Sequence, residues 1–74
     1  MTNKMKLTKI LSGFYQYSHS PKHYFNIKLM DKLWIIESVT EVDFYGKKTT
    51  RTKFVDEVRF LTDAVEAITY HLEG

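Results

Sequence analysis

Residues 24–39 limit the possible folds more than any other part of the 74-residue sequence. Apolar and polar or mixed side chains alternate in the first half, which predicts a strand with one buried face. The second half begins with residues 33–36, which are apolar on both faces, as in strands covered on both sides. Asp31 and Lys32 separate the halves, so we predict an antiparallel pair joined by a tight turn, with residues 33–39 at the middle of a sheet. The apolar members of the alternation are Phe25, Ile27 and Leu29.

The flanking segments predict further strands. Residues 9–17 form an edge strand by propensity, although the apolar residues in and around them also recur at helical spacing; Gly13 and the aromatic residues favour the strand. Residues 18–22 contain the one proline and predict a turn. Gly46 marks the next reversal, and residues 49–55, rich in β-branched side chains, predict a fourth strand.

The C-terminal segment predicts an amphipathic helix. Its apolar residues fall on one stripe at helical spacing, and Thr62 can cap the N-terminus. The stripe consists of Leu61, Ala64, Val65, Ile68 and Leu72. The whole chain, residues 1–74, therefore predicts one small α+β domain with residues 1–6 frayed. Its architecture is a three- to four-stranded antiparallel meander with the helix packed on one face.

Composition narrows the classes of function. The sequence has no cysteine, no signal-peptide pattern and no apolar run of the roughly 20 residues that span a bilayer, so we expect a cytoplasmic protein without membrane contact. Pro21 separates His19 from His23, which prevents a helical metal-binding pair. No phosphate-binding loop or nucleophile motif is present in the sequence, so we expect no enzymatic activity, no metal and no small-molecule cofactor.

One sheet face is left without a cover, and this predicts a protein-binding surface. A single short helix cannot hide both faces of a four-stranded sheet. Either the sheet curls, or residues 40–48 fold over it, or the second face contacts a partner. Our first functional expectation is therefore a small binding protein that contacts a protein partner or a second copy of itself. The predicted contact residues are Trp34, Ile36, Met30, Tyr15 and Tyr17.

DNA binding is the alternative, because residues 47–53 interleave four cationic residues with threonines. Lys and Arg contact phosphates, and Arg reads guanine in the major groove. Exposed tyrosines offer surfaces on which bases stack. A solvated edge strand, whose charges prevent aggregation, explains the same pattern without a ligand. The predicted nucleic-acid-binding residues are Lys47, Lys48, Arg51, Lys53, Lys28 and Tyr24.

Two predicted strands, a basic strand and a Phe-Leu-Thr lead into the helix follow one another in a defined order. The residues concerned are Tyr24 to Ile27, Leu33 to Ile35, Lys47 to Lys53, Phe60 to Thr62, and then Glu66 and Ala67. This order resembles the arm-type DNA-binding domains of phage and transposon integrases. The resemblance implies a three-stranded sheet that enters the major groove with the C-terminal helix behind it. It also implies a phage or mobile-element accessory or regulatory protein.

Overall fold

The computed structural model describes residues 6–73 and contains five strands followed by one helix. The strands pair in chain order as an antiparallel meander. The predicted α+β meander with a C-terminal helix is confirmed, with five strands where three to four were expected. Residues 1–5 of the segment predicted to fray lie outside the described residues. The elements are β1 (Thr8–Leu11), β2 (Phe14–Ser20), β3 (His23–Met30), β4 (Leu33–Phe44), β5 (Lys47–Val58) and α1 (Leu61–Glu73).

The additional strand arises because residues 9–17 fold as two strands. Leu11 pairs with Phe14 across a turn at Ser12 and Gly13. Gly13 has a φ of 80°, a left-handed conformation that glycine adopts without steric cost. The glycine that interrupts the helical spacing is therefore a reversal point, and the helical alternative for this segment is wrong.

The β3–β4 hairpin has the predicted turn. Asp31 and Lys32 both have positive φ, at 50° and 66°, as a two-residue hairpin turn that follows the twist of the strands requires. This turn pairs Met30 with Leu33 and Ile27 with Ile36. Residues directly opposite each other in an antiparallel pair lie on one face, so the turn fixes which residues of β4 share a face with Ile27.

The core lies between α1 and the sheet face that carries Phe25, Ile27 and Ile36, which we call the helix side. These three side chains are fully buried, as are Ala64 and Ile68 of α1. Full burial of such apolar side chains contributes about 1.5–3 kcal/mol each. Around them pack the half-buried side chains of Leu7, Tyr15, Tyr17, Trp34, Val55, Val58, Leu61, Ala67 and Leu72. The predicted helix is thus confirmed, although Thr62, its expected cap, lies inside the first turn because α1 begins at Leu61.

The placement of Trp34 and Ile36 on an uncovered face is wrong. Their β3 partners across the hairpin are Leu29 and Ile27, so both side chains lie on the helix side. The opposite face of β4 carries Leu33, Ile35, Glu37 and Val39, by alternation along the strand.

The uncovered face is stabilised by polar pairs between strands. Gln16 donates a side-chain hydrogen bond of 3.0 Å to Asn26, and Lys28 forms an ion pair of 3.3 Å with Glu37. This face is therefore mixed in character rather than a second apolar layer that needs a cover. Among the described residues, no helix is long and apolar enough to cross a membrane.

A β-bulge interrupts β5 where it passes under α1. Ile36 pairs with Asp56 but the next residue, Glu37, pairs with Phe54, which leaves Val55 as the extra residue. In such a bulge two successive residues lie opposite one residue of the partner strand. As a result, the helix side of β5 carries the even-numbered residues Asp56 and Val58 after the bulge and the odd-numbered residues 47 to 53 before it.

Candidate nucleic-acid interface

The β4–β5 hairpin projects beyond the rest of the sheet. Pairing of β3 with β4 ends at His23 and Thr40, whereas β4 and β5 stay paired to Phe44 and Lys47. Residues 41–50 therefore form a two-stranded extension, which we call the arm. Long two-stranded ribbons of this kind reach ligands that a flat sheet cannot, including the grooves of nucleic acids.

Two contacts hold the base of the arm. The backbone N–H of Glu41 donates a hydrogen bond of 2.7 Å to the carbonyl oxygen of Lys22, in the β2–β3 turn. The same lysine places its ammonium 3.8 Å from a carboxylate oxygen of Asp43, in an exposed ion pair. Exposed pairs of this kind stabilise by less than about 1 kcal/mol. The backbone bond and the hairpin ladder therefore fix the direction of the arm.

Strand alternation separates the charges of the hairpin onto its two sides. On the helix side, β5 presents an exposed column, which we call the basic face: Lys47, Thr49, Arg51 and Lys53. Its partners on β4 carry no charge; they are Phe44, Val42, Thr40 and Ser38. The acidic side chains of this part of β4, Glu41 and Asp43, lie on the reverse side. Three cations therefore follow one another over about 20 Å without an intervening carboxylate.

The fourth predicted cation, Lys48, does not join the basic face. It lies on the reverse side, directly opposite Asp43 in the ladder. Opposite charges in such cross-strand pairs attract each other, which lowers the local positive potential. Of the four predicted residues on β5, the structure brings together Lys47, Arg51 and Lys53.

Lys28 and Tyr24 lie on the uncovered face, away from the basic face. Lys28 forms its ion pair with Glu37, and Tyr24 is half-buried beside Val39, its partner across the hairpin. Neither side chain shares a surface with Arg51. The structure therefore places the predicted nucleic-acid-binding residues in two separate groups.

The predicted protein-contact residues also separate into two groups. Ile36 is fully buried, and Tyr15 and Trp34 are half-buried, with their rings 5.7 Å apart in an edge-to-face arrangement. Tyr17 packs at 6.3 Å from the ring of Phe25. These four predicted residues belong to the helix-side core or its border. Met30, the fifth, is exposed at the opposite end of the sheet from the arm.

Two aromatic residues at the tip of the arm complete the candidate interface. Phe44 is 64% exposed and Tyr45 is 93% exposed, and their rings lie 4.6 Å apart at an angle of 76°. The sequence leaves open whether these rings fold back on the core. The signal that favours exposure is their position directly before Gly46, at the turn of the hairpin.

A row of imidazole and phenyl rings borders the basic face where it meets the sheet. The His23 ring lies 5.5 Å from that of His19 and 4.8 Å from that of Phe25, on which His71 packs from α1 at 5.8 Å. His23 Nε2 is hydrogen-bonded to the Ser38 hydroxyl at 2.8 Å. Burial lowers the pKa of His23 below its ordinary value of 6.5, and the charges of His19 and His71 lower it further. His23 is therefore packed against the sheet and held by β4 rather than free in solvent.

An acidic groove lies on the other side of the bulge, between β5 and α1. Asp56, Asp63 and Glu66 line this groove together with the apolar side chains of Val55 and Val58. The sign of the charge thus changes along β5, from basic on the arm to acidic beside the helix. Within residues 6–73, no group of three or more His, Cys, Asp or Glu side chains has a metal-binding arrangement. Comparison with protein-family models, curated proteins and solved structures finds no match for this chain.

Proposed function

We propose that this chain is a non-enzymatic nucleic-acid-binding protein that contacts the phosphate backbone through the basic face. The observation that carries this proposal is the separation of charge on the hairpin, with Lys47, Arg51 and Lys53 on one exposed side and the carboxylates of β4 on the other. Phosphates repel carboxylates, so a surface with cations alone binds them more strongly than one with mixed charges. Thr49 adds a hydroxyl that can donate to a phosphate oxygen.

The position of the basic face also bears on how nucleic acid is bound. The basic face lies on the helix side: it begins at Lys53, in the row of Ser38 and the buried Phe25, and continues along β5 to Lys47 on the arm. The resemblance to integrase arm-type domains, with the helix behind the DNA-binding sheet, implies contact through the uncovered face. The basic face is the better supported surface here, because the uncovered face pairs its central cation, Lys28, with the carboxylate of Glu37.

A salt titration tests the proposal. Fluorescence anisotropy with labelled DNA and RNA oligonucleotides should show binding at low salt. The affinity should fall with a log–log slope of about −2 to −3, as expected for three phosphate contacts. That slope corresponds to a loss of roughly fifteen- to sixtyfold between about 50 and 200 mM salt. Absence of binding at low salt would exclude nucleic acid as the ligand.

A matched pair of variants identifies the surface. Arg51→Gln should reduce the magnitude of the salt slope by about one, because it removes one phosphate contact. Lys48→Gln makes the same change in net charge on the reverse side of the same hairpin, and its slope should match that of the wild type. Equal effects of both variants would show that net charge, and not the basic face, determines the affinity.

A second candidate, self-association, is favoured by a cluster of exposed apolar side chains. These residues lie at the corner of the sheet where the β1–β2 and β3–β4 turns meet. There the backbone N–H of Leu29 donates a hydrogen bond of 2.8 Å to the carbonyl oxygen of Gly13. Because β1 is an edge strand, a second copy can extend the sheet and cover this corner. The cluster consists of Ile10, Leu11, Leu29 and Met30, each 47–59% exposed, with Leu29 on the helix side and Met30 on the opposite face.

Light scattering after size exclusion distinguishes this candidate. Self-association predicts a mass above the 8.8 kDa of one chain at high protein concentration, and Met30→Lys should return the mass to that of a monomer. Thr50→Lys, which adds the same charge at an exposed residue far from this corner, is the control for a simple charge effect. A monomeric mass at every concentration would remove self-association from consideration.

A further inference from the structure

We infer that the tip of the arm selects nucleic acid with unstacked bases, meaning single-stranded DNA or RNA, by stacking Tyr45 and Phe44 against them; this deepens, and rests on, the proposed function. Tyr45 and Phe44 are the most exposed large apolar side chains of the β4–β5 hairpin, at 93% and 64%. Base–aromatic stacking tolerates any sequence because every base has a π-face.

The backbone at the tip shows that folding alone does not favour an aromatic residue there. Tyr45 has a φ of 51°, in the left-handed region where side chains other than Asn, Asp and Gly are disfavoured. The equivalent position of the β3–β4 turn carries Asp31, which tolerates this conformation. The two-residue turn requires this conformation, as it does at Lys32 in the β3–β4 turn, and an exposed tyrosine gains little packing in return.

The two rings are placed to continue the basic face. Phe44 lies directly across the hairpin from Lys47, on the same side as Arg51. A backbone that follows the cations outward therefore reaches the aromatic tip within about 20 Å. The rings stand at 76° to each other, so they do not stack face to face and each keeps a face for a base.

A regular duplex cannot use these rings without distortion. Its bases are already stacked, and opening one step costs free energy that single strands do not require. Because the cations of the basic face bind phosphates of either form, the aromatic tip is the part of the interface that distinguishes them. The expected ligand is a short single-stranded segment or an unpaired loop.

The test compares a labelled single-stranded oligonucleotide of about 12 nucleotides with a duplex of similar length, under the same low salt. The wild type should bind the single strand at least about tenfold more tightly. Tyr45→Asn, which suits the backbone of the turn, should weaken single-strand binding by roughly five- to a hundredfold and leave duplex binding nearly unchanged. Tyr70→Gln, which removes an exposed tyrosine from α1, should have no effect.

A spectroscopic experiment checks stacking independently of affinity. Tyr45→Trp adds an indole at the tip while Trp34 stays in place, and saturation with the single strand should quench the added emission. Tyr70→Trp is the matched control and should show little quenching.

The possible results separate this inference from the proposed function. Binding with equal affinity for single strand and duplex, lost in Arg51→Gln but not in Tyr45→Asn, would overturn the single-strand preference and leave the proposed function intact. Tighter binding to duplex that depends on Tyr45 would also overturn it, in favour of insertion between base pairs. No binding to either probe would overturn both.

Discussion

The helix side of the β4–β5 hairpin contains two regions that differ in composition although they share the same two strands. Under α1, Ile36 and Val58 belong to or border the buried core. Beyond α1, Arg51 and Lys47 are exposed, with no carboxylate on that side of the arm. Strand propensity is similar in both regions. The difference in composition therefore shows that burial under the helix determines which residues a strand requires at each position.

This comparison has a consequence for stability. The buried region connects β3, β4 and α1, whereas the arm consists of two strands with few tertiary contacts. Isolated hairpins are marginally stable in water. We therefore expect changes under the helix to alter global unfolding and changes in the arm to alter ligand binding or local opening.

The largest expected effect is on Ile36. Ile36→Ala should lower the free energy of unfolding by about 2–5 kcal/mol, because it leaves a cavity in a fully buried site. Val42 lies on the same face of β4 as Ile36, but it is half-buried and belongs to the arm. Val42→Ala should therefore lower the free energy of unfolding by less than about 1 kcal/mol. Urea denaturation measures both values. Equal losses would contradict the division of the hairpin into a structural and an exposed region.

An intermediate effect is expected at the two turn glycines. Gly13→Ala should lower global stability by about 1–2 kcal/mol, because φ is 80° there and the turn packs against Leu29. Gly46→Ala imposes a similar strain at φ 77°, but nothing lies within 4 Å of its added methyl group.

Hydrogen exchange separates the two glycine variants. Gly46→Ala should accelerate exchange of amides in the arm by roughly 5–30-fold, with slow exchange retained at Phe25 and Ile27. Gly13→Ala should accelerate exchange at the slowest amides as well. If Gly46→Ala accelerated the whole sheet, the arm and the body would unfold as one unit.

The smallest expected effect concerns pH. Because burial and the neighbouring His19 and His71 lower the pKa of His23 below 6.5, the unfolded chain binds this proton more readily than the folded chain. The stabilising contribution is fully present above about pH 6.5 and is lost as the pH falls toward the lower folded-state pKa. Urea midpoints between about pH 7.5 and pH 5 should therefore fall more for the wild type than for His23→Gln. Parallel pH profiles of the two proteins would contradict this assignment.

Local signals in the sequence are sufficient to predict the β3–β4 turn, the reversal at Gly46 and the helix. Asp31 with Lys32 predicts a two-residue turn, and that turn alone fixes the pairing of Ile27 with Ile36. Applied fully, this register already places Ile36 on the same face as Phe25. The assignment of Ile36 to a partner surface is wrong because only one of the two apolar faces of β4 is covered by α1, and Ile36 lies on that face.

Other features depend on tertiary structure and could not be predicted. The split of residues 9–17 required the conformation of Gly13, which the sequence also allows inside a strand or helix. The separation of Lys48 from Arg51 depends on the pairing register of β5, and a bulge shifts that register by one residue. The histidine row depends on where the end of α1 meets Phe25.

The bulge at Val55 links the length of the chain to the electrostatics of the arm. Between the turn and the bulge, paired residue numbers add to 91, as in Phe44 with Lys47; after it they add to 92, as in Trp34 with Val58. One residue added to the turn would let the whole hairpin follow the second rule without a bulge. Arg51 and Lys53 would then lie on the same side as Glu41 and Glu37, and Thr52 and Phe54 would take their places on the helix side. The number of residues in the turn thus determines which side of the β4–β5 hairpin carries the cations. A single-codon insertion there would move them to the other side with no change in the composition of either strand.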